Sequence, residues 1–289
     1  MEFDLANIMI TGAIGLAGGL LGGLLGIGGS IVVIPLLGFA YGPNQQLYQA
    51  TAMIMNVVVG ASATLKHHLK GAIQLRLVAR LIPAALVGIL GGVALSNAIP
   101  PLPLQLLFAL FLVYIGLREA WTAYGPGRLD EPREGRESTG RIAGVGGFTG
   151  LLAGLLGIGG GIVIIPLLRR FCRMDMKQAI PASSATMLVT ATVGATYKNL
   201  ALPGLLAPDG TPLRIVESLG LAAAMVPTAF VGSYVGAGLM HRMPMGLIKK
   251  VFALLILLAA ARMASSAWTQ MEAGPDAATT PAAESAVTR

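Results

Sequence analysis

One stretch of 19 residues is written twice in this chain. Residues 19–37 read GLLGGLLGIGGSIVVIPLL and residues 150–168 read GLLAGLLGIGGGIVIIPLL, differing only at Gly22/Ala153, Ser30/Gly161 and Val33/Ile164. The duplication makes the fold two copies of one unit. Each glycine costs about 1 kcal/mol in a helix relative to alanine, so the GIGG cluster breaks an otherwise apolar helix. Broken backbone at membrane depth is tolerated only where protein shelters it or where it lines a water-filled cavity. Paired, glycine-interrupted apolar segments in two halves are the sequence mark of a secondary transporter's binding site.

The membrane setting follows from composition. The chain of 289 residues is 55% hydrophobic and 11% charged, with a mean hydropathy of +0.75. Soluble domains carry about 25% charged residues, so too few charges exist here to cover a water-facing surface. Apolar runs of about 20 residues, enough to cross a bilayer, recur along the sequence. The chain reads as an all-α, multi-pass protein of the cell membrane (inner or plasma), with the lipid bilayer as its main surroundings. Its N-terminus, the acidic MEFD, lacks the basic flank of a cleavable signal and is expected to be retained. The net charge of +7 is no nucleic-acid footprint, because lysine and arginine gather in the short connections between apolar runs.

The repeat extends past the glycine segments. VGA at 59–61 matches 193–195, and Pro83, Val87, Gly88, Gly92 and Leu95 align with Pro227, Val231, Gly232, Gly236 and Leu239. Pro100, FAL at 108–110 and Arg118 align with Pro244, FAL at 252–254 and Arg262. Each half therefore holds a glycine-broken segment and three apolar helices, over 5–40, 47–65, 77–97 and 102–121, then 141–171, 181–199, 216–240 and 245–267. In domain terms, 1–121 is the first membrane repeat and 141–267 the second. Residues 122–140 form a charged cytoplasmic linker, and 268–289 a disordered tail rich in alanine, threonine and proline.

Charge constrains the topology. The basic connections are 66–80, the linker, 169–177 and 242–250, whereas 41–46 and 97–101 have no lysine or arginine. If each glycine-broken segment crosses once, the basic regions divide between the two sides. If each enters and returns, all four fall on one side, as the positive-inside rule requires. Three further crossings per half then make the halves inverted repeats. Single tilted or broken spans remain the alternative for segments this long.

The glycine clusters supply the candidate chemistry. IVVIPLL and IVIIPLL restart a helix whose first N–H groups point at the break, and a helix N-terminus favours small anions. Gly28, Gly29 and Ser30, with Gly159, Gly160 and Gly161, are thus the expected substrate-binding residues, Ser30 adding a hydroxyl donor. Asn56 and Thr190 occupy matching places in equivalent helices and join them, because intramembrane polar groups are functional by default. Thr186, Thr192 and Thr196 add hydroxyls nearby. The opposing reading gives the glycines to close helix packing, through GxxxG spacings such as Gly19–Gly23 and Gly22–Gly26. Lys198, near a helix end, reads as snorkelling to the interface, with attraction of external anions as its lesser role. The LKHHLK run at 65–70 reads as a solvated anchor, and Cys172 as a buried or interfacial small residue.

Other chemistries lack their residues. A Walker loop needs a lysine after its glycines, and the dinucleotide fingerprint needs glycine where Ile31 and Ile162 stand. Without a nucleotide motif, an ion gradient or passive flux is the expected driving force, a coupling proton or ion being a possible partner. His67, His68 and His241 have no metal-ligand spacing. Glu119, Asp175 and Glu217 lie near segment ends, so neither catalytic residues, metal nor cofactor is expected. The oligomeric state is left open.

These residues resemble the TauE/SafE family, whose members include proposed sulfite exporters. The likeness rests on GIGGSIVVIPLL and GIGGGIVIIPLL, on ATAMIMNVVVGASATLKHHLKGAI at 50–73, and on the FALFLVYIGLREA and FALLILLAAARMA runs. It covers roughly residues 5–267, and Ser30 departs from a glycine often found in the first copy. The resemblance implies transport of small sulfur-containing anions: sulfite, sulfoacetate, thiosulfate or related organic anions. An anion channel, or a carrier of unrelated small organic acids with the glycines serving packing, is the alternative.

Overall fold

The computed structural model describes residues 4–124, 138–239 and 245–272. Most of the linker, the connection holding His241 and Arg242, and the tail beyond Glu272 lie outside the described residues. The first half comprises α1 (Leu5–Leu25), α2 (Ser30–Tyr41), α3 (Gln45–Leu69), α4 (Leu75–Ala98) and α5 (Pro101–Tyr124). The second comprises α6 (Thr139–Leu156), α7 (Gly161–Phe171), α8 (Met176–Ala201), α9 (Ile215–Leu239) and α10 (Met245–Glu272). Helices α1, α4, α5, α6, α9 and α10 are each long and apolar enough to cross a membrane. α3 and α8 are too polar for that description, and they sit inside the others.

The glycine-broken segments are hairpins. α1 ends at Gly26, whose φ of +65° terminates the helix in the left-handed region, and α6 ends likewise at Gly157, at +72°. Glycine meets no Cβ penalty there. The chain then turns back. A Cβ on Gly22 would lie 2.8 Å from the Gly29 nitrogen. Twelve residues on, Tyr41 Oη donates to the Asn7 carbonyl (2.9 Å) and lies 2.6 Å from Thr11 Oγ1. α2 therefore retraces α1 to the side on which α1 begins. At 1.5 Å per residue, α2 and α7 are each about 17 Å long, roughly half the hydrocarbon thickness of a bilayer.

Helices pair across the repeat boundary. Gly15 on α1 lies against Met225 of α9, an added Cβ falling 2.6 Å from its carbonyl oxygen, while Gly19 meets Ala229 and Gly23 meets Ser233. The equivalent pair is α4 with α6, where Gly146, Gly150 and Gly154 lie on the backbone of Leu81, Ala85 and Ile89. Both pairs run parallel. α3 and α8 run antiparallel, with Gly60 at Leu188 and Asn199 Nδ2 donating to the Ala50 carbonyl (3.4 Å). α5 and α10 also run antiparallel, Gln105 Nε2 donating to the Met263 carbonyl (3.0 Å). Every one of these interfaces joins one half to the other, so the core is shared between the repeats.

Outward faces carry Leu110, Tyr114, Leu117, Phe230, Val231, Leu254 and Leu258, all exposed, as helices bathed in hydrocarbon require. Lys66 Nζ sits 5.3 Å from the centre of the Tyr234 ring, and His68, Leu69 and Lys70 around it are exposed. Cys172 is buried.

Candidate functional site

The two breaks meet. A Cβ on Gly161 would lie 2.8 Å from Ile27 Cα, so the start of α7 rests on the first break. Asn56, fully buried on α3, is wedged between them. A Cβ on Gly28 would lie 3.0 Å from Asn56 Oδ1, and one on Gly159 would lie 2.8 Å from Asn56 Nδ2. The Asn56 amide donates to the Gly157 carbonyl (3.4 Å), while its Oδ1 has no partner. Gly28 and Gly159, which approach Asn56, have φ of +82° and +69°, and Gly160 has +82°, so all three need glycine for their backbone. Glycine serves both of the roles weighed from the sequence, at different places. Gly15, Gly19 and Gly23 pack helices, whereas Gly26, Gly28, Gly157, Gly159 and Gly160 turn the chain.

Beside the second break lies a small cavity with room for about one water molecule. Its walls include Gly159 and Gly160 from the break, Thr149 from α6, and Ser183, Thr186 and Thr190 from α8. The hydroxyls of Thr149, Ser183 and Thr186 are buried and have no hydrogen-bond partner. An unsatisfied buried hydroxyl costs about 1–3 kcal/mol, so three around one space call for a polar occupant. No lining side chain carries a charge. The space borders the first turn of α7, where Val163 and Ile164 bond to the Gly160 carbonyl and the Gly161 and Ile162 amides have no helical acceptor.

The halves differ here. By repeat alignment, Thr149, Ser183 and Thr186 correspond to Gly18, Gln49 and Ala52, so the first half builds no matching hydroxyl cluster. Ser30 begins α2, fully buried with its Oγ unpartnered, but it does not line the cavity. Gly29 packs the returning limb on α1, an added Cβ falling 2.5 Å from the Gly18 carbonyl oxygen. Thr190 donates back to the Thr186 (3.0 Å) and Met187 (3.3 Å) carbonyls.

Comparison with known proteins fits this architecture. The profile of the family described as "Sulfite exporter TauE/SafE" matches residues 11–263. The chain belongs to the TauE/SafE family. Among curated TauE/SafE-like relatives, the "Probable membrane transporter protein MamO" of Paramagnetospirillum magneticum is 26% identical over 91% of this chain and 45% of its own length. This chain thus spans about half the length of that relative. A "Probable membrane transporter protein" of Haemophilus influenzae is 25% identical over 89% of this chain and 97% of its own length. Another from Xylella fastidiosa (strain Temecula1) is 35% identical over 58% and 66% respectively. No solved structure matches the chain. The TauE/SafE membership and the six apolar helices make this a multi-pass membrane protein.

Sequence reasoning misplaced one residue of this TauE/SafE protein. Lys198 does not snorkel to the interface. It is fully buried, and its Nζ donates to Ser96 Oγ (2.9 Å), Asn97 Oδ1 (2.7 Å) and Gln46 Oε1. Snorkelling presumes a side chain on the outward face of its helix; α8 exposes Thr192, Thr196 and Leu200 there, whereas Lys198 lies on the opposite face, against α3 and α4. Thr149 and Ser183 were missed as well, although 183, 186 and 190 share one helical face. Thr192 and Thr196 are exposed and bond back to their own helix, at the Leu188 (2.7 Å) and Thr192 (2.9 Å) carbonyls.

Proposed function

We propose that this protein is a secondary transporter of small anions, with sulfur oxyanions and organosulfonates first among them, bound at the second glycine break against the N-terminus of α7. The observation that carries the reading is the set of three buried, unpartnered hydroxyls on one cavity beside the first turn of α7, whose leading amides have no helical acceptor. Hydroxyls alone suit cations or anions. The positive end of the helix dipole and the lack of any lining carboxylate favour the anion. Asn56 holds the two breaks in register rather than supplying the main contact. Family membership supports sulfite as the first cargo to test, driven by an ion gradient in the absence of a nucleotide motif.

The hydroxyls give a discriminating test. Ser183→Ala with Thr186→Val removes donors that make no bond inside the protein, so folding stability is expected to hold or rise slightly. Counterflow of labelled sulfite in proteoliposomes is expected to show a half-saturation raised by about ten-fold or more. Thiosulfate, sulfate, sulfoacetate and acetate serve as competitors. Unchanged transport in this variant removes the proposed site, and flux without counterflow indicates a channel.

In the membrane we place the two halves as inverted repeats, each hairpin entering and returning. Support comes from the repeat-equivalent pairs α3–α8 and α5–α10, which run antiparallel, and from the gathering of basic residues at one end of the bundle. Because α1–α9 and α4–α6 tie opposite repeats together, the moving body is not a whole repeat. Pro43→Cys and Leu206→Cys, on a Cys172→Ala background, are both expected to react with an impermeant maleimide from outside the cell. Reaction of the two from opposite faces overturns the inverted arrangement, and reaction of both only from the cytoplasmic face overturns the orientation given to it.

A further inference from the structure

Lys198 is a buried ammonium held by neutral oxygens only. Its partners Gln46, Ser96 and Asn97 are side chains of α3 and α4, in the first half, whereas Lys198 belongs to the second. The charges of the surrounding helices lie elsewhere. Lys66, His67 and His68 on α3 and Arg76 and Arg80 on α4 stand at the far ends of those helices, and neither Arg214 nor Glu217 is paired with Lys198. The repeat equivalent of Lys198 is Thr64, so the lysine itself is not repeated in the first half.

The tie connects to the second break. Ser96 Oγ donates to Gln49 Oε1 (2.8 Å), and Gln49 Nε2 donates to the Leu155 carbonyl (3.2 Å) at the end of α6. Gln49 also lies against the turn itself, since a Cβ on Gly157 would fall 2.9 Å from its Cγ. Gln46 Nε2 holds the end of α4 by donating to the Ser96 (2.9 Å) and Ile99 (3.1 Å) carbonyls. All four side chains, Lys198, Gln46, Gln49 and Ser96, are nearly or fully buried. A lone charge placed across the two halves, three hydrogen bonds from the end of α6 where the glycine turn begins, is costly as mere structure, because its partners cannot neutralise it.

We propose that Lys198 is both the latch that closes the transport path at the end away from the basic connections and the first station for the arriving oxyanion. The anion takes over the ammonium hydrogens from Gln46, Ser96 and Asn97, which frees α8 from α3 and α4. Ser96 and Gln49 then lead towards the second break. The station rests on the anion-transport reading above; the latch does not.

The test has two arms on the full-length, Cys172→Ala protein. In the first, Met53→Cys, one turn beyond Gln49 on α3 and buried, is labelled by an impermeant maleimide in right-side-out vesicles without added anion. Lys198→Met is expected to speed labelling about ten-fold, as loss of charged hydrogen bonds implies. Ser96→Ala with Asn97→Ala, which keeps the lysine, is expected to act in the same direction and serves if Lys198→Met does not fold. Equal labelling in folded protein overturns the latch. In the second arm, sulfite counterflow is measured from each face in right-side-out and inside-out vesicles. Lys198→Met is expected to raise the half-saturation about ten-fold from the outer face alone, and equal change from both faces overturns the station. Absence of sulfite counterflow in the parent protein overturns the sulfite reading, while the labelling arm still decides the latch.

Discussion

Alanine at Gly159 is expected to abolish sulfite counterflow while leaving a folded protein. Two effects act together at this position. The backbone stands at a φ of +69°, where an L side chain costs about 1–2 kcal/mol. The new Cβ would also lie 2.8 Å from Asn56 Nδ2 and 3.2 Å from Met187 Sδ. Both neighbours are side-chain atoms, so the fold can yield locally, and a total cost of about 2–3 kcal/mol is tolerable. Transport is another matter. Asn56 bonds the Gly157 carbonyl, and moving it shifts the turn from which α7 starts, beside the proposed site. Misplacement by about 1 Å costs on the order of a hundred-fold in rate at a positioned site. The fitting control is Gly144→Ala on α6, which is exposed and meets nothing within 4 Å. Wild-type counterflow in Gly159→Ala, alongside an unchanged control, would sink the role given to the second break.

Much of this arrangement was legible in the sequence, because the strongest signals were local. Glycine clusters break helices whatever surrounds them, and so the turns at Gly26–Gly29 and Gly157–Gly160 follow from composition alone. The returning hairpin was readable for a different reason: only that path brings Arg76, Arg169 and Arg170 to one end. Which glycines pack and which turn was not readable. Gly23 and Gly26 lie three residues apart in the same run, yet Gly23 is pressed on Ser233 and Gly26 caps a helix at positive φ. That division depends on where α9 lies, and nothing near Gly23 in the sequence specifies it.

The polar residues show the same limit. Asn56 and Thr190 stand out because they occupy equivalent positions, but symmetry is a poor guide to a cavity whose unpartnered hydroxyls have no counterparts in the first half. Thr149 faces glycine in the repeat and Thr186 faces alanine, so aligning the copies hides both. Lys198 was misread because a lysine near a helix end normally reaches water. Here α3 and α4 close over it, and their Gln46, Ser96 and Asn97 replace the water it would have sought.

Gly19→Ala is expected to be far more damaging to folding than its one added methyl suggests. The new Cβ would lie 2.7 Å from Ala229 Cα and 2.8 Å from the Ala229 carbonyl carbon. Backbone, unlike a side chain, has no rotamer to change, so α1 and α9 must separate along their length. In a bilayer the loss is large, because close packing rather than a hydrophobic drive holds such helices together. Overpacking typically costs about 1–3 kcal/mol, and a backbone-on-backbone seam sits at or above the top of that range. Gly12→Ala on the same helix is the internal comparison, since its Cβ would meet Thr228 Cγ2 at an ordinary 3.6 Å. Thermal unfolding in detergent should rank Gly12→Ala near the parent and Gly19→Ala well below it, with Gly154→Ala on the equivalent α4–α6 seam similarly low. Equal stability for Gly12→Ala and Gly19→Ala would mean that the seam carries little of the fold. The ranking also bears on transport, because a seam that cannot open without large cost assigns the movement to other parts of the bundle. The candidates left are the α3–α8 pair, held at one end by Lys198, and the half-length helices α2 and α7 that meet at the breaks.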